Sequence, residues 1–243
     1  MRVEGGLTGR ERRFMRRRVN KTIYGLRERY GDWLLTGLTA LLLVMMFVIA
    51  PLQATFDGGF SYFAAGVALL MIAGALILSG SMIVMALMAS AFAVNLFVVF
   101  NRIHFGHGAY DLHMLSVGWL VLSITLGVVV ARAVFASGPI SYHRIIGAVL
   151  LYVLVALAFV ALYLMVGLIS PNAFKNLVFE DAPELTSNLI YFSCVTLTTV
   201  GYGDIAPISP FARSLSNLEA FFGQLYPAIL IGRLVTLHLQ ERR

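Results

Sequence analysis

The sequence has 243 residues, of which 59% are hydrophobic and only 12% are charged. A mean hydropathy of +0.85 excludes a soluble domain with an ordinary core and indicates an integral membrane protein. The net charge of +6 does not indicate a nucleic-acid partner, because the basic residues follow a pattern that membrane topology explains. The single cysteine, Cys194, excludes an intrachain disulfide.

Residues 1–32 form a basic segment, with ten Lys and Arg residues against four Asp and Glu residues. Its apolar residues recur at helical spacing, which predicts an amphipathic helix. Two interpretations stay open: a helix that lies on anionic lipid, or a signal that only sets the orientation of the chain. Both put this segment in the cytoplasm.

Six apolar stretches follow, each near the ~20 residues that cross a bilayer. If both termini are cytoplasmic, 15 of the 18 Lys and Arg residues lie on the inner side, as the positive-inside rule requires. This count predicts an even number of crossings with a cytoplasmic N-terminus. The predicted spans are residues 33–54, 60–79, 81–100, 113–135, 144–169 and 212–238.

The loop between the third and fourth spans contains three of the five histidines, His104, His107 and His113, together with Asp111. Imidazoles beside a carboxylate could bind a transition metal or titrate between about pH 5 and 8. Their spacing matches no tight metal template, so an exposed polar loop is the second interpretation.

The fifth span carries no charge from Ile145 to Ile169 and ends at Ser170 and Pro171, where proline marks the exit from the membrane. Thr186, Ser187 and Asn188 are N-cap residue types and predict a short helix at about residues 189–198. The C-terminus of this helix would point inward, and the negative end of its dipole would favour a cation there.

The most unusual backbone is expected at residues 199–203, which we call the carbonyl strip. Gly201 and Gly203 can take positive φ angles, so that carbonyls along the strip can turn to the same side. A row of inward carbonyls can replace water around a dehydrated cation. One chain supplies one wall of such a cage, so the strip predicts a symmetric assembly, most simply a tetramer.

The last span is predicted to form the inner helix of a pore. Pro227 cannot donate a hydrogen bond to the carbonyl of Gly223, so two causes of bending coincide. A gating hinge and a static kink or close helix contact both remain open here. Glu219, one turn earlier, is a candidate functional carboxylate, either behind the carbonyl strip or in the outer interface, and Gln224 could line a cavity.

The string Thr-Leu-Thr-Thr-Val-Gly-Tyr-Gly-Asp at residues 196–204 resembles the selectivity filter of the potassium channel family, residue for residue. The resemblance to the two-helix pore covers roughly residues 145–240, and the four preceding spans extend it to a six-helix layout. It implies that Thr199, Val200, Gly201 and Tyr202 coordinate K⁺ through backbone carbonyls, with the Thr199 hydroxyl completing the innermost site. Gly203 would complete the outer mouth.

The same resemblance implies which residues support the filter. Tyr191 and Phe192 stand where many potassium channels have two tryptophans, and Val195 stands where some have a glutamate. The Tyr191 hydroxyl could make the hydrogen bond to Asp204 that the resemblance implies, in a buried setting. The predicted support residues are Tyr191, Val195, Thr198 and Asp204.

The fourth span departs from voltage-gated members of the family. A voltage-sensing helix carries Arg or Lys at every third position, whereas residues 119–130 are uncharged and Arg132 lies alone near the inner end. We therefore do not expect steep voltage gating from this region.

These observations predict an all-α membrane protein with six transmembrane helices, a re-entrant pore helix, a selectivity-filter loop and a homotetrameric pore. The predicted domains are a cytoplasmic segment (1–32), a four-helix domain (33–143) and a pore domain (144–243). The predicted function is passive, potassium-selective conduction, with no enzymatic activity, no cofactor besides permeant K⁺, and a prokaryotic inner membrane as location.

Three alternatives are weighed against it. The first is a weakly selective cation channel, which the Gly-Tyr-Gly triplet disfavours. The second is an ion-coupled transporter, which would show two related halves rather than one filter. The third is a membrane enzyme in which His104, His107, Asp111 and His113 bind a metal, and it requires these side chains to converge.

Overall fold

The structure, a computed structural model, describes residues 35–55, 66, 67, 69, 82–105, 108, 110–135, 142–180 and 183–241. The predicted basic segment 1–32, most of the predicted second span 60–79, and His107 lie outside the described residues.

The described chain is mostly helical. It also contains a two-stranded antiparallel sheet, with one strand before and one strand after a short helix. The first helix, α1, contains a π-helical turn at Met45–Ile49. The elements in order are α1 (Leu35–Thr55), α2 (Met82–Phe105), α3 (Asp111–Val134), α4 (Tyr142–Ile169), β1 (Phe174–Lys175), α5 (Pro183–Leu197), β2 (Ala206–Pro207) and α6 (Pro210–Glu241).

Among the described residues, four helices are long and apolar enough to cross a membrane: Leu35–Thr55, Met82–Arg102, Asp111–Val134 and Ile145–Ile169. They coincide with the first, third, fourth and fifth predicted spans. The sixth predicted span forms one helix of 32 residues, α6, which is less apolar because polar residues such as Asn217, Glu219 and Gln224 interrupt it. The full count of six crossings stays a prediction.

The short helix α5 begins earlier than predicted. The sequence indicated a helix from about residue 189, capped by residues 186–188, but α5 starts at Pro183 and includes the predicted cap. Proline at the first helical position has a preset φ and lacks only an N–H that would have no partner there, so it starts a helix well. Thr186 is buried inside this longer helix.

The apolar core lies along α4. This helix packs against α3 on one side and against α5 and α6 on the other, and residues 50–55 of α1 also pack on α5. At the inner end, Gly147 allows α1 and α3 to approach: a Cβ at Gly147 would lie 2.7 Å from Leu35 and 2.9 Å from Val134. Close contact through small residues is the usual way in which helices associate in membranes.

The C-terminal half of α6 contacts the end of α3. The Arg233 guanidinium donates to the carbonyl oxygens of Val134, at 3.3 Å, and Phe135, at 2.7 Å. It also lies 4.8 Å from the centre of the Phe135 ring. A cation at the C-terminus of a helix is favoured by the helix dipole. Arg233 therefore connects α6 to the end of α3.

Between α4 and α6 the chain forms a compact outer segment. The two strands pair in the register Phe174 with Pro207 and Lys175 with Ala206. The Ala173 carbonyl also accepts a hydrogen bond from the Ile208 N–H at 2.7 Å. This pairing closes the loop that contains α5 and the carbonyl strip, and holds both between α4 and α6.

We predict that Gly167→Ala destabilises this outer segment. A Cβ at Gly167 would lie 1.9 Å from the Phe179 ring, which packs on Phe174, so the ring must move. Forced overpacking of this kind costs about 1–3 kcal/mol, which should lower the thermal unfolding midpoint in detergent.

Gly127→Ala is the matched control, because a Cβ there would meet only Leu151, at an ordinary contact distance of 3.7 Å. An unfolding midpoint of Gly167→Ala equal to that of Gly127→Ala would contradict the packing described here.

Candidate functional site

The backbone of the carbonyl strip alternates in handedness. Thr199, Gly201 and Gly203 have φ values of 59°, 59° and 80°, whereas Val200 and Tyr202 are not in the positive-φ region. The positive φ predicted for the two glycines is thus confirmed. That of Thr199 was not foreseen, because a β-branched residue rarely adopts this conformation. Alternating left- and right-handed residues turn successive peptide groups the same way.

The N–H groups of the strip point back to the end of α5. The Val195 carbonyl accepts hydrogen bonds from the N–H groups of Val200, at 3.0 Å, and Gly201, at 3.4 Å. The Thr199 N–H donates to the Thr196 carbonyl at 3.0 Å. Val195, a predicted support residue, therefore holds the strip through its backbone. Thr198, another, follows the last residue of α5, and its hydroxyl donates to the Cys194 carbonyl of that helix at 2.7 Å.

The backbone hydrogen bonds of this region leave the carbonyls of the strip unused. In residues 183–241, no backbone N–H donates to the carbonyls of residues 199–202. The side chains of Val200 and Tyr202 are 54% and 72% exposed in the single chain. Carbonyl oxygens without an N–H partner are ligands that a desolvated monovalent cation can use. This arrangement can therefore coordinate cations with main-chain oxygens.

The outer end of the strip is held at Asp204. The Tyr191 hydroxyl donates to the Asp204 carboxylate at 2.8 Å, the bond that the sequence suggested. It is exposed in the single chain rather than buried. The Tyr191 ring also stacks on Tyr202, with ring centres 6.4 Å apart and an interplanar angle of 2°. From the opposite side, the Asn176 amide donates to the Asp204 carbonyl at 2.7 Å.

The hydrogen bond from Tyr191 also affects the charge of this end. It stabilises the ionised carboxylate and is the main cause of a pKa of Asp204 below the usual value. Because the pKa of Asp204 is lower in the folded chain, the bond contributes fully to folding stability above the ordinary carboxyl pKa. This contribution is lost as the pH falls through the lowered value. Asp204 therefore stays ionised at neutral pH.

Gly223 lets α6 approach the end of α5 very closely. A Cβ at Gly223 would lie 1.8 Å from the carbonyl oxygen of Leu197, the last residue of α5. The close-contact interpretation of Gly223 is therefore supported, and the gating hinge stays a prediction. The helix continues through Pro227 as far as Glu241.

Two buried hydroxyls that sequence reasoning did not single out contact Glu219. The carboxyl of Glu219 is fully buried, and the hydroxyls of Tyr163 on α4 and Ser193 on α5 both bond it. Glu219 thus lies behind the strip rather than in the outer interface. A carboxyl group in an apolar span needs hydrogen-bonding partners, so the sequence indicates that Glu219 has partners on facing helices but not which residues they are.

The histidine loop does not assemble a metal site among the described residues, where no group of three His, Cys, Asp or Glu side chains could hold an ion. Asp111 instead bonds Arg102, at 3.3 Å, and the Gly108 N–H, at 2.8 Å. His104 stacks on Phe100 with a centroid distance of 4.2 Å. The metalloenzyme alternative gains no support from these positions.

Residues 148–239, which include α5, the carbonyl strip and most of α6, match the model of a protein family described as "Ion channel". Protein LctB of Bacillus caldotenax is 31% identical over 87 residues, covering 35% of this chain and 64% of that protein.

Two further relatives carry potassium channel names. Two-pore potassium channel 1 of Arabidopsis thaliana is 33% identical over 78 residues, covering 32% of this chain. The inward rectifier potassium channel Kirbac3.1 of Paramagnetospirillum magnetotacticum is 34% identical over 93 residues, covering 38% of this chain. The chain spans only 20% and 28% of these two relatives. No solved structure matches the chain significantly.

We predict that Tyr191→Phe raises the pKa of Asp204, because the variant loses the hydroxyl that stabilises the ionised carboxylate. The measurement is a titration of the Asp204 side chain by carbon NMR in detergent. Tyr202→Phe is the control, since it removes the neighbouring hydroxyl and leaves the bond from Tyr191 to Asp204 in place. The same Asp204 pKa in Tyr191→Phe and in the unmodified chain would show that this bond does not govern the carboxylate.

Proposed function

We propose that this chain, which belongs to the potassium channel family by residues 148–239, assembles as a homotetramer and conducts K⁺ passively through a pore lined by the carbonyl strip. The observation that carries the proposal is the alternating sign of φ along residues 199–203, with the N–H groups of Thr199, Val200 and Gly201 bonded to α5. In this arrangement the carbonyls of Thr199, Val200, Gly201 and Tyr202 are the K⁺ ligands, and conduction proceeds by exchange between adjacent sites.

The exposure of the strip and of α6 supports a symmetric assembly. A single strip supplies oxygens from one side only, and four strips around an axis complete each coordination shell. α6 also exposes large apolar side chains in the single chain, which a neighbouring subunit would cover. They include Phe221, Phe222, Leu225 and Ile229.

Charge on the outer side favours cations. Glu180, Glu184 and Asp204 are exposed and belong to the segment between α4 and α6, which is extracellular in the predicted orientation. Acidic side chains around a mouth raise the local cation concentration. On the inner side, the carbonyl end of α5 points its negative dipole toward the permeating ion.

We propose that opening of the channel does not depend steeply on the membrane voltage. α3 carries one acidic residue, Asp111 in its first turn, and one Arg, Arg132 in its last turn; its remaining titratable residue, His113, also lies in the first turn. Gating charges must cross the membrane field to make opening steeply voltage-dependent, and Arg132 alone supplies too little charge.

In the proposed topology both termini are cytoplasmic, the N-terminal segment meets anionic lipid, and the membrane is a prokaryotic inner membrane.

The proposal is tested with Gly201→Ala in proteoliposomes. Alanine at a φ of 59° strains the backbone by about 1–2 kcal/mol per subunit, in four copies around one axis. We expect the flux of K⁺ over Na⁺ to lose its selectivity or to disappear, while the tetramer still elutes normally.

Gly232→Ala is the matched control, because a Cβ at Gly232 meets nothing within 4 Å and its φ is not positive. It should conduct K⁺ like the unmodified channel. Selective K⁺ flux through Gly201→Ala would show that the carbonyl strip does not line the conducting path. Flux of both ions through the unmodified chain would indicate the weakly selective cation channel.

A further inference from the structure

A buried carboxyl group joins three helices behind the carbonyl strip. Glu219 on α6, Tyr163 on α4 and Ser193 on α5 all have 0% exposure. The Tyr163 hydroxyl bonds Glu219 Oε2, and Ser193 Oγ lies 2.5 Å from Glu219 Oε1. Ser193 Oγ also lies 2.9 Å from the carbonyl oxygen of Ala156 on α4.

The number of protons in this cluster is informative. Three oxygen–oxygen contacts need three protons, but Tyr163 and Ser193 bring one hydroxyl proton each, and the Ala156 carbonyl brings none. With an ionised Glu219, Ser193 can donate to the carboxylate or to Ala156, and one close contact then has no proton between its oxygens. A protonated Glu219 that donates to Ser193 satisfies all three contacts.

The surroundings favour the same protonation state. Within residues 142–180 and 183–241 no Lys, Arg or His forms a salt bridge with Glu219. The titratable groups that face it are Tyr163 and Tyr152 on α4 and Cys194 on α5, and none of these is a cation. An unpaired carboxylate in a dry interior carries a large desolvation cost, which a neutral carboxyl group avoids.

The location of the cluster connects it to the strip. Ser193 lies one helical turn before Leu197, and Glu219 lies one turn before Gly223, whose backbone contacts the Leu197 carbonyl. α5 and α6 therefore touch at two successive levels. Tyr152 adds a hydrogen bond to the Leu197 carbonyl at 3.2 Å. The carbonyl strip begins two residues after Leu197.

We propose that Glu219 is a positioning residue that carries its proton and fastens α6 and α4 to α5, so that the carbonyl strip keeps its conducting geometry. The protonation of Glu219 and the contact between the three helices do not depend on the proposed function. The effect on the strip rests on the proposed function. Glu219 touches no permeating ion and acts through Ser193 and the last turn of α5.

The protonation state is tested without any ion conduction. Infrared difference spectra of the purified protein between the unmodified chain and Glu219→Gln, recorded at pH 7, should contain the C=O stretching band of a protonated carboxylic acid. A difference spectrum that contains carboxylate bands instead would overturn the proposal, whether or not the protein is a potassium channel.

The positioning role is tested with current decay in planar bilayers. Glutamine is neutral and isosteric: its carbonyl can accept from Tyr163, and its NH₂ group can donate to Ser193. Glu219→Gln should therefore keep both the unfolding midpoint and the decay rate within about twofold of the unmodified channel. Glu219→Ala should make decay faster by about tenfold, because it removes the carboxyl partner of the buried Tyr163 hydroxyl and the bond that connects Ser193 to α6.

Ser193→Ala and Tyr163→Phe serve if Glu219→Ala does not assemble, since each removes a single hydroxyl group from the cluster. Both should speed decay while the selectivity during the open period stays unchanged. Glutamine as harmful as alanine would show that a charge is required, and unchanged decay in the alanine and phenylalanine variants would show that the cluster only adds stability. Either result overturns the proposal, and an unmodified chain without K⁺ current would refute the proposed function instead.

Discussion

The pair of hydrogen bonds from the N–H groups of Val200 and Gly201 to the Val195 carbonyl is the constraint on which the rest of the structure depends. Irregular backbone at membrane depth must satisfy its polar groups within the protein or beside water. The N–H groups of Thr199, Val200 and Gly201 find their partners at the end of α5. The carbonyls of the strip are then available for cations. Because the N–H groups bond α5, the strip keeps this arrangement only while α5 keeps its position.

The helices around α5 provide that support at several levels. At the outer end, Tyr191 and Asn176 bond Asp204 from two sides. At the inner end, the Leu197 carbonyl accepts from Tyr152 and lies against Gly223. Between these levels the hydroxyl of Ser193 reaches both α4 and α6. Because apolar packing alone is weakly directional, polar contacts of this kind specify one arrangement of the helices in a membrane.

Much of the site could be predicted from local sequence, because glycine permits a positive φ at residues 201 and 203 and proline at 171 cannot continue a helix. The confirmed glycine conformations and the end of α4 before Pro171 are of this type. Partners distant in sequence could not be read: Glu219 was singled out, but nothing local indicates that Tyr163, 56 residues away, faces it. The positive φ of Thr199 and the start of α5 at Pro183 also depend on the fold around them. Tetrameric assembly stays a prediction because it involves other chains.

The most direct measurement is the reversal potential of the purified protein in a planar bilayer, with K⁺ on one side and Na⁺ on the other. Carbonyl cages built from residues 199–202 predict reversal close to the potassium equilibrium potential. Reversal near zero with robust current would contradict selective coordination by the carbonyl strip, and would indicate a weakly selective cation channel.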